Sequence, residues 1–156
     1  MITGIAHIAI KTADLDQSVR FYREILNMVE VYRPPFRFPG VWMGHDGEGG
    51  DLIHLYTGKE ALDEDGGAFT GSRAIDHFAL YAKGYQGYRR RFQDAGLDWK
   101  EQLVPDTERW QLFTYDPNGV MIELMFDGSQ EEGAGPDMSP TRAYQPGVSF
   151  YQPLNA

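Results

Sequence analysis

Four residues able to hold a metal ion or move a proton stand inside apolar, strand-like runs. They are His7 in "GIAHIAI" (4–10), His54 in "DLIHLYTG" (51–58), His77 in "AIDHFAL" (74–80) and Glu123 in "VMIELMFDG" (120–128). Each alone has a plain reading. A lone buried histidine is commonly structural, satisfied by one hydrogen bond, and strand alternation can turn Glu123 toward water. An ionised carboxylate between Ile122 and Leu124 is costly to bury without a compensating partner. Taken together, imidazoles and a carboxylate suit a borderline divalent metal such as Fe, Mn, Co, Ni or Zn. Two histidines and one carboxylate with open positions form a non-haem iron pattern. His54 has two possible roles, a further ligand or a general base, since an imidazole titrates near neutrality.

The spacing of these residues exposes a repeat. His77 follows His7 by 70 positions and Glu123 follows His54 by 69. The surrounding elements recur in the same order: a strand, a helix, then two or three strands. In the first half Asp14 can cap the helix, with Gln17 as its capping-box partner. Leu15, Ser18/Val19, Tyr22 and Ile25/Leu26 then follow at helical spacing. In the second half Tyr85, Tyr88, Phe92 and Ala95 form the apolar stripe, and Gly96 is a plausible stop. "DPNG" (116–119) reads as a turn into the last strand. The expected organisation is a first module over 1–58, a linker over 59–73, a second module over 74–128 and a Gly/Pro-rich tail over 129–156. Two copies related by a pseudo-twofold axis bring their equivalent strand positions together.

Composition bounds the function. The chain has 156 residues, 42% apolar, with nine Phe, nine Tyr and three Trp, enough for a core. A net charge of −9 disfavours nucleic-acid binding. The one basic cluster, "YRRRF" (88–92), reads as a solvated helix face. No apolar run is long enough to span a membrane and no secretory leader is visible. The absence of cysteine excludes disulfides, thiolate metal sites and a Cys nucleophile, with a cytoplasmic setting as the default expectation. His45, in a polar loop and without a repeat partner, reads as a surface residue.

The stretch "HIAIKTADLDQSVRFYREILNM" (7–28) is similar to the glyoxalase I signature, from its ligand through Ser18, "FY" (21–22) and Leu26. It departs at Asn27, where glycine is usual, and at Thr12, where Ile or Val is usual. "DPNGVMIEL" (116–124) resembles a last-strand ligand motif. On these residues, residues 1–128 resemble the vicinal oxygen chelate superfamily, which includes glyoxalase I, fosfomycin resistance enzymes and extradiol dioxygenases. The resemblance implies an α+β fold of tandem βαβββ modules forming a cupped mixed sheet, one divalent metal ion, a small-molecule substrate and a homodimer. It implies His7, His77 and Glu123 as metal ligands, with His54 either completing the set or acting as the base.

The resemblance also orders the activities. A glyoxalase-type lyase or isomerase needs a metal and a base beside a carbonyl, and His54 stands at the fourth-ligand position. Lys11 lies where glyoxalase I often binds a substrate carboxylate, and Arg109 is the best cation for an anionic group. An Fe(II) extradiol dioxygenase is the second reading. Its tyrosine position holds Phe113, with Tyr115 two residues away as the possible substitute. A non-catalytic binder of antibiotics is the third reading; four donor positions argue against it. Trp42, Trp99, Trp110, Phe113 and the tail aromatics are candidate pocket lining in either the enzyme or the binder, with Trp110 and Phe113 the expected substrate contacts.

Overall fold

The computed structural model describes residues 1–46 and 50–152. Two compact units divide the chain, Met1–Thr70 and Gly71–Ala156. The first runs β1 (Ile8–Lys11), α1 (Leu15–Arg20), a π-helical turn (Phe21–Ile25), β2 (Val29–Val31), β3 (Gly40–Gly44) and β4 (Asp51–Tyr56). The second runs β5 (His77–Tyr81), α2 (Tyr85–Asp94), β6 (Trp99–Leu103), β7 (Arg109–Tyr115) and β8 (Met121–Asp127). The sheet orders are β1-β4-β3-β2 and β5-β8-β7-β6. In each, the first strand pairs parallel with the last and the other pairs are antiparallel. Both units are therefore βαβββ modules, and the class is α+β.

Strand alternation gives each sheet one apolar face. In the first unit Ile10, Met43, Ile53 and Leu55 are buried, as are Val19, Tyr22 and Leu26 of the helical segment. In the second, Leu112, Ile122, Leu124 and Phe126 are buried with Tyr85 and Phe92 of α2. Fully burying each such side chain contributes about 1.5–3 kcal/mol before entropy is counted. His7, His54, His77 and Glu123 belong to the other faces, which explains imidazoles in runs that otherwise read as core.

The helix start differs from the expected reciprocal box. Asp14 does cap α1, accepting from the Gln17 backbone N–H at 2.9 Å. Its own N–H goes to the Thr12 hydroxyl at 3.1 Å. Thr12 is buried and hydrogen-bonds Ser18, so the departure from Ile or Val serves the helix entry. Asn27 follows the helix in the left-handed region, at φ 59°. Asparagine is among the few non-glycine residues that visit it readily, so it replaces the usual glycine at low cost.

The stretch expected as linker includes a helical turn at Lys59–Ala61, a buried Ala61 and a Leu62–Ala68 bridge. The expected tail also carries ordered contacts, and its residues 153–156 lie outside the described ones. Glu131 accepts from the backbone N–H groups of Gly84 and Tyr85 at the start of α2. The polar loop after β3 leaves His45 exposed, and residues 47–49 lie outside the described ones. No helix among the described residues is long and apolar enough to cross a membrane.

A buried carboxylate ties tail, helix and sheet together. Glu101 accepts from Tyr85 Oη and the Asp137 N–H at 2.7 Å each, and from Trp99 Nε1 at 2.9 Å. Arg89 Nε lies 3.0 Å away, so the cluster 88–92 is not simply a solvated face. Burial and the Glu101 carboxylate push the Tyr85 hydroxyl well above its ordinary pKa, so it stays a donor. Alanine at Glu101 strands these donors. We expect the Glu101→Ala variant to lose about 3–5 kcal/mol of stability, read by denaturant melts.

Candidate metal centre

In the first unit the sheet's exposed face gathers His7, His54, Trp42 and Asp51. His7 immediately precedes β1 and is exposed. The His54 ring lies between His7, at 3.8 Å between centroids and 16°, and Trp42, at 3.9 Å and 3°. The His54 side chain is only 13% exposed. Its Nε2 hydrogen-bonds the Asp51 carboxylate. That bond chiefly holds the Asp51 carboxyl below its ordinary 3.8. His7, Asp51 and His54 offer ligand atoms that all lie within 4.8 Å of one another.

Asp51 escapes a reading by strand period. Three residues from His54, it belongs by alternation on the opposite face. A bulge changes this: Met43 pairs with Ile53 but Gly44 pairs with Asp51, leaving Leu52 as an extra residue. The interruption re-aims Asp51 toward His54. No pattern in "GGDLIHLY" announces it.

The second unit assembles its own set. His77 opens β5 and its Nε2 is 2.8 Å from Glu123 Oε2. Glu123 is 3% exposed, and its Oε1 accepts from Gln111 Nε2 at 2.6 Å. His77 Nδ1 is 2.7 Å from Asp76 Oδ1. This bond chiefly lowers the Asp76 pKa, with Tyr144 adding to it. Burial first, then Asp76, pushes the Tyr144 hydroxyl up to about 12, so it donates to Asp76 across 3.1 Å. The ring thus presents Nδ1 to Asp76 and Nε2 to Glu123. An imidazole and a buried carboxylate so placed, with an outer carboxylate behind the ring, match the donor set of a histidine and a carboxylate sharing one cation.

The two units match in register. Ala9 is level with His54, and His7 stands two residues before Ala9. Ala79 is level with Glu123, and His77 stands two residues before Ala79. The repeat read at offsets 70 and 69 thus equates His7 with His77 and His54 with Glu123 in backbone placement.

The remaining candidates divide. Phe113 is cross-strand from Glu123 and edge-on to His77 at 5.5 Å. Tyr115 shares that face, but its ring packs on Phe150 and Tyr151. Arg109 is exposed on the same face opposite Asp127, about four strand residues or roughly 13 Å along β8 from Glu123. Lys11 shares the face of His54, and its ammonium lies 4.1 Å over the Phe69 ring. Trp110 does not join the set. Alternation turns it to the helix side, where its ring meets Tyr85 edge-on at 5.2 Å. Trp99 likewise packs near Phe92.

The chain belongs to the Glyoxalase/Bleomycin resistance protein/Dioxygenase superfamily, whose family model matches residues 4–124. It is 28% identical over 127 residues to "Glyoxylase I 4" of Arabidopsis thaliana, covering 79% of this chain and 70% of that protein. Among solved structures it resembles a fosfomycin resistance protein, FosX, of Listeria monocytogenes. That likeness has a TM-score of 0.58 and 23% identity, over 80% of this chain and 92% of that one. That structure is a variant complexed with Mn(II) and 1S,2S-dihydroxypropylphosphonic acid. An antibiotic binding protein, TnmS3, of Streptomyces sp. CB03234 also matches at TM-score 0.58 and 14% identity, over 81% and 97% of the chains. The two structural likenesses speak to the fold alone.

Proposed function

We propose that this protein is a metal-dependent enzyme of the glyoxalase type, a lyase or isomerase acting on a small oxygen-chelating substrate. The observation that carries the reading is the opposition of His77 Nε2 and buried Glu123 Oε2 at 2.8 Å, with Asp76 behind the imidazole. A family relative that bears a glyoxylase I name supports it. In this proposal a single divalent ion draws its ligands from both halves: His7, His77 and Glu123, with His54 as fourth ligand or base.

When bound, such an ion supplies Lewis acidity toward the substrate's oxygens. The chain's own residues supply the rest. With its Nε2–H held by Asp51, His54 keeps a lone pair on Nδ1 able to take and return a proton. Stacking by His7 and Trp42 restricts the ring's rotation. Phe113 and Tyr144 present an apolar wall beside His77.

Metal analysis of protein purified without added metal tests the reading. Near-stoichiometric Ni, Co, Mn or Zn, with turnover of a hemithioacetal or an epimerisable acid, is the expected result. Iron with oxygen uptake on catechols turns the assignment to an extradiol dioxygenase, and protein that binds no metal but sequesters an antibiotic turns it to a binder. His54→Ala separates the two roles of that residue. As a base its loss lowers turnover about 10²–10⁴-fold while metal is retained; as a ligand its loss removes both. Unimpaired turnover eliminates both roles.

A further inference from the structure

The C-terminal segment lies beyond the residues matched by the family model, yet it reaches Asp76 and Phe113 beside His77. It attaches to the open edge of β6. Glu101 N–H donates to Arg142 O and Tyr144 N–H donates to Glu101 O, each at 2.9 Å, making a parallel bridge at Ala143. Arg142 lies 3.7 Å over the Trp99 ring and donates to Trp99 O at 2.8 Å. Lys100 Nζ donates to Thr141 O at 2.7 Å. These contacts fix the register of residues 141–144 and with it the placement of the Tyr144 side chain. Tyr144 stacks on Phe113 at 3.9 Å and 11°, and its hydroxyl reaches Asp76.

We propose that Tyr144 is a positioning residue: it orients Asp76, and through Asp76 it holds the His77 ring with Nδ1 toward Asp76 and Nε2 toward Glu123. The relay runs Tyr144 Oη to Asp76 Oδ1 at 3.1 Å, Asp76 Oδ1 to His77 Nδ1 at 2.7 Å, and His77 Nε2 to Glu123 Oε2 at 2.8 Å. The aromatic stack restrains the Tyr144 ring, so the hydroxyl is presented at little further conformational cost. An outer-shell partner of this kind commonly changes metal affinity 10–100-fold. This inference rests on the proposed metal function for its consequence, though not for its geometry.

Tyr144→Phe keeps the stacked ring and deletes the hydroxyl. Two readouts apply: Co(II) affinity by competition titration, and the His77 tautomer in metal-free protein by nitrogen-15 NMR. The expected result is about 10-fold weaker Co(II) binding, with the His77 tautomer shifted from that of wild type. Asp76→Asn should weaken Co(II) binding at least as much, and the double variant should be no weaker than Asp76→Asn alone, because the effect passes through Asp76. Co(II) affinity within about twofold of wild type together with an unchanged tautomer overturns the proposal. If the wild-type protein binds no Co(II), the metal reading falls, and the tautomer of His77 in Tyr144→Phe still decides whether Tyr144 positions it.

Discussion

On the proposed metal function, replacing His77 by alanine is expected to strip the protein of most of its metal while leaving it folded. The imidazole is the hinge between two carboxylates, with Asp76 at Nδ1 and Glu123 at Nε2. Outer-shell changes at metal sites commonly cost 10–100-fold in affinity, so deletion of a direct ligand should cost more than about 100-fold. The fold should tolerate it. His77 opens an edge strand and its side chain is 29% exposed, so little apolar burial is lost. Gln111 and Tyr144 continue to serve the two carboxylates. We expect a stability loss of about 1–3 kcal/mol from the missing hydrogen bonds. Metal analysis beside a His45→Ala control, altered at an exposed loop histidine, gives the comparison. Equal metal content in both variants would remove His77 from the site.

Much of this arrangement was legible in the chain because duplication writes a position twice. His7 and His77 each sit two residues ahead of an alanine that is level with the last-strand donor, and the 70 and 69 spacings expose that register. The βαβββ order followed from helical and alternating periods that each half repeats. What escaped depends on breaks in period. Asp51 reaches His54 through a bulge, which no count of two anticipates. The sequence offers Trp110 as a substrate contact, but alternation from Phe113 sends it to the helix side. The part of Gln17 in a reciprocal capping box is taken by Thr12, whose hydroxyl competes from outside the motif. Tyr144 lay in a segment without periodicity, where only edge pairing to β6 could fix its place.

Changing Glu123 to glutamine should move activity and stability in opposite directions. Turnover is expected to fall about 10²–10⁴-fold, the range for removing a proton-handling or charge-stabilising group. The metal-free protein should be as stable as wild type or more so. Glu123 is 3% exposed, and a carboxylate so buried carries a desolvation cost. The amide avoids that cost and still satisfies its neighbours. Its oxygen accepts from Gln111, and its nitrogen faces His77 Nε2. Metal then separates the two proteins. At about 100 times its Kd a ligand stabilises the folded state by about 2.7 kcal/mol, and wild type should show that upward shift in Tm while the glutamine variant shows little of it. Glu101 supplies the contrast. It is equally buried but held by three hydrogen-bond donors and the Arg89 guanidinium, and its removal destabilises with or without metal. A Glu123→Gln variant that melts below wild type in chelator, with no metal-dependent shift in either protein, would make Glu123 a second structural carboxylate.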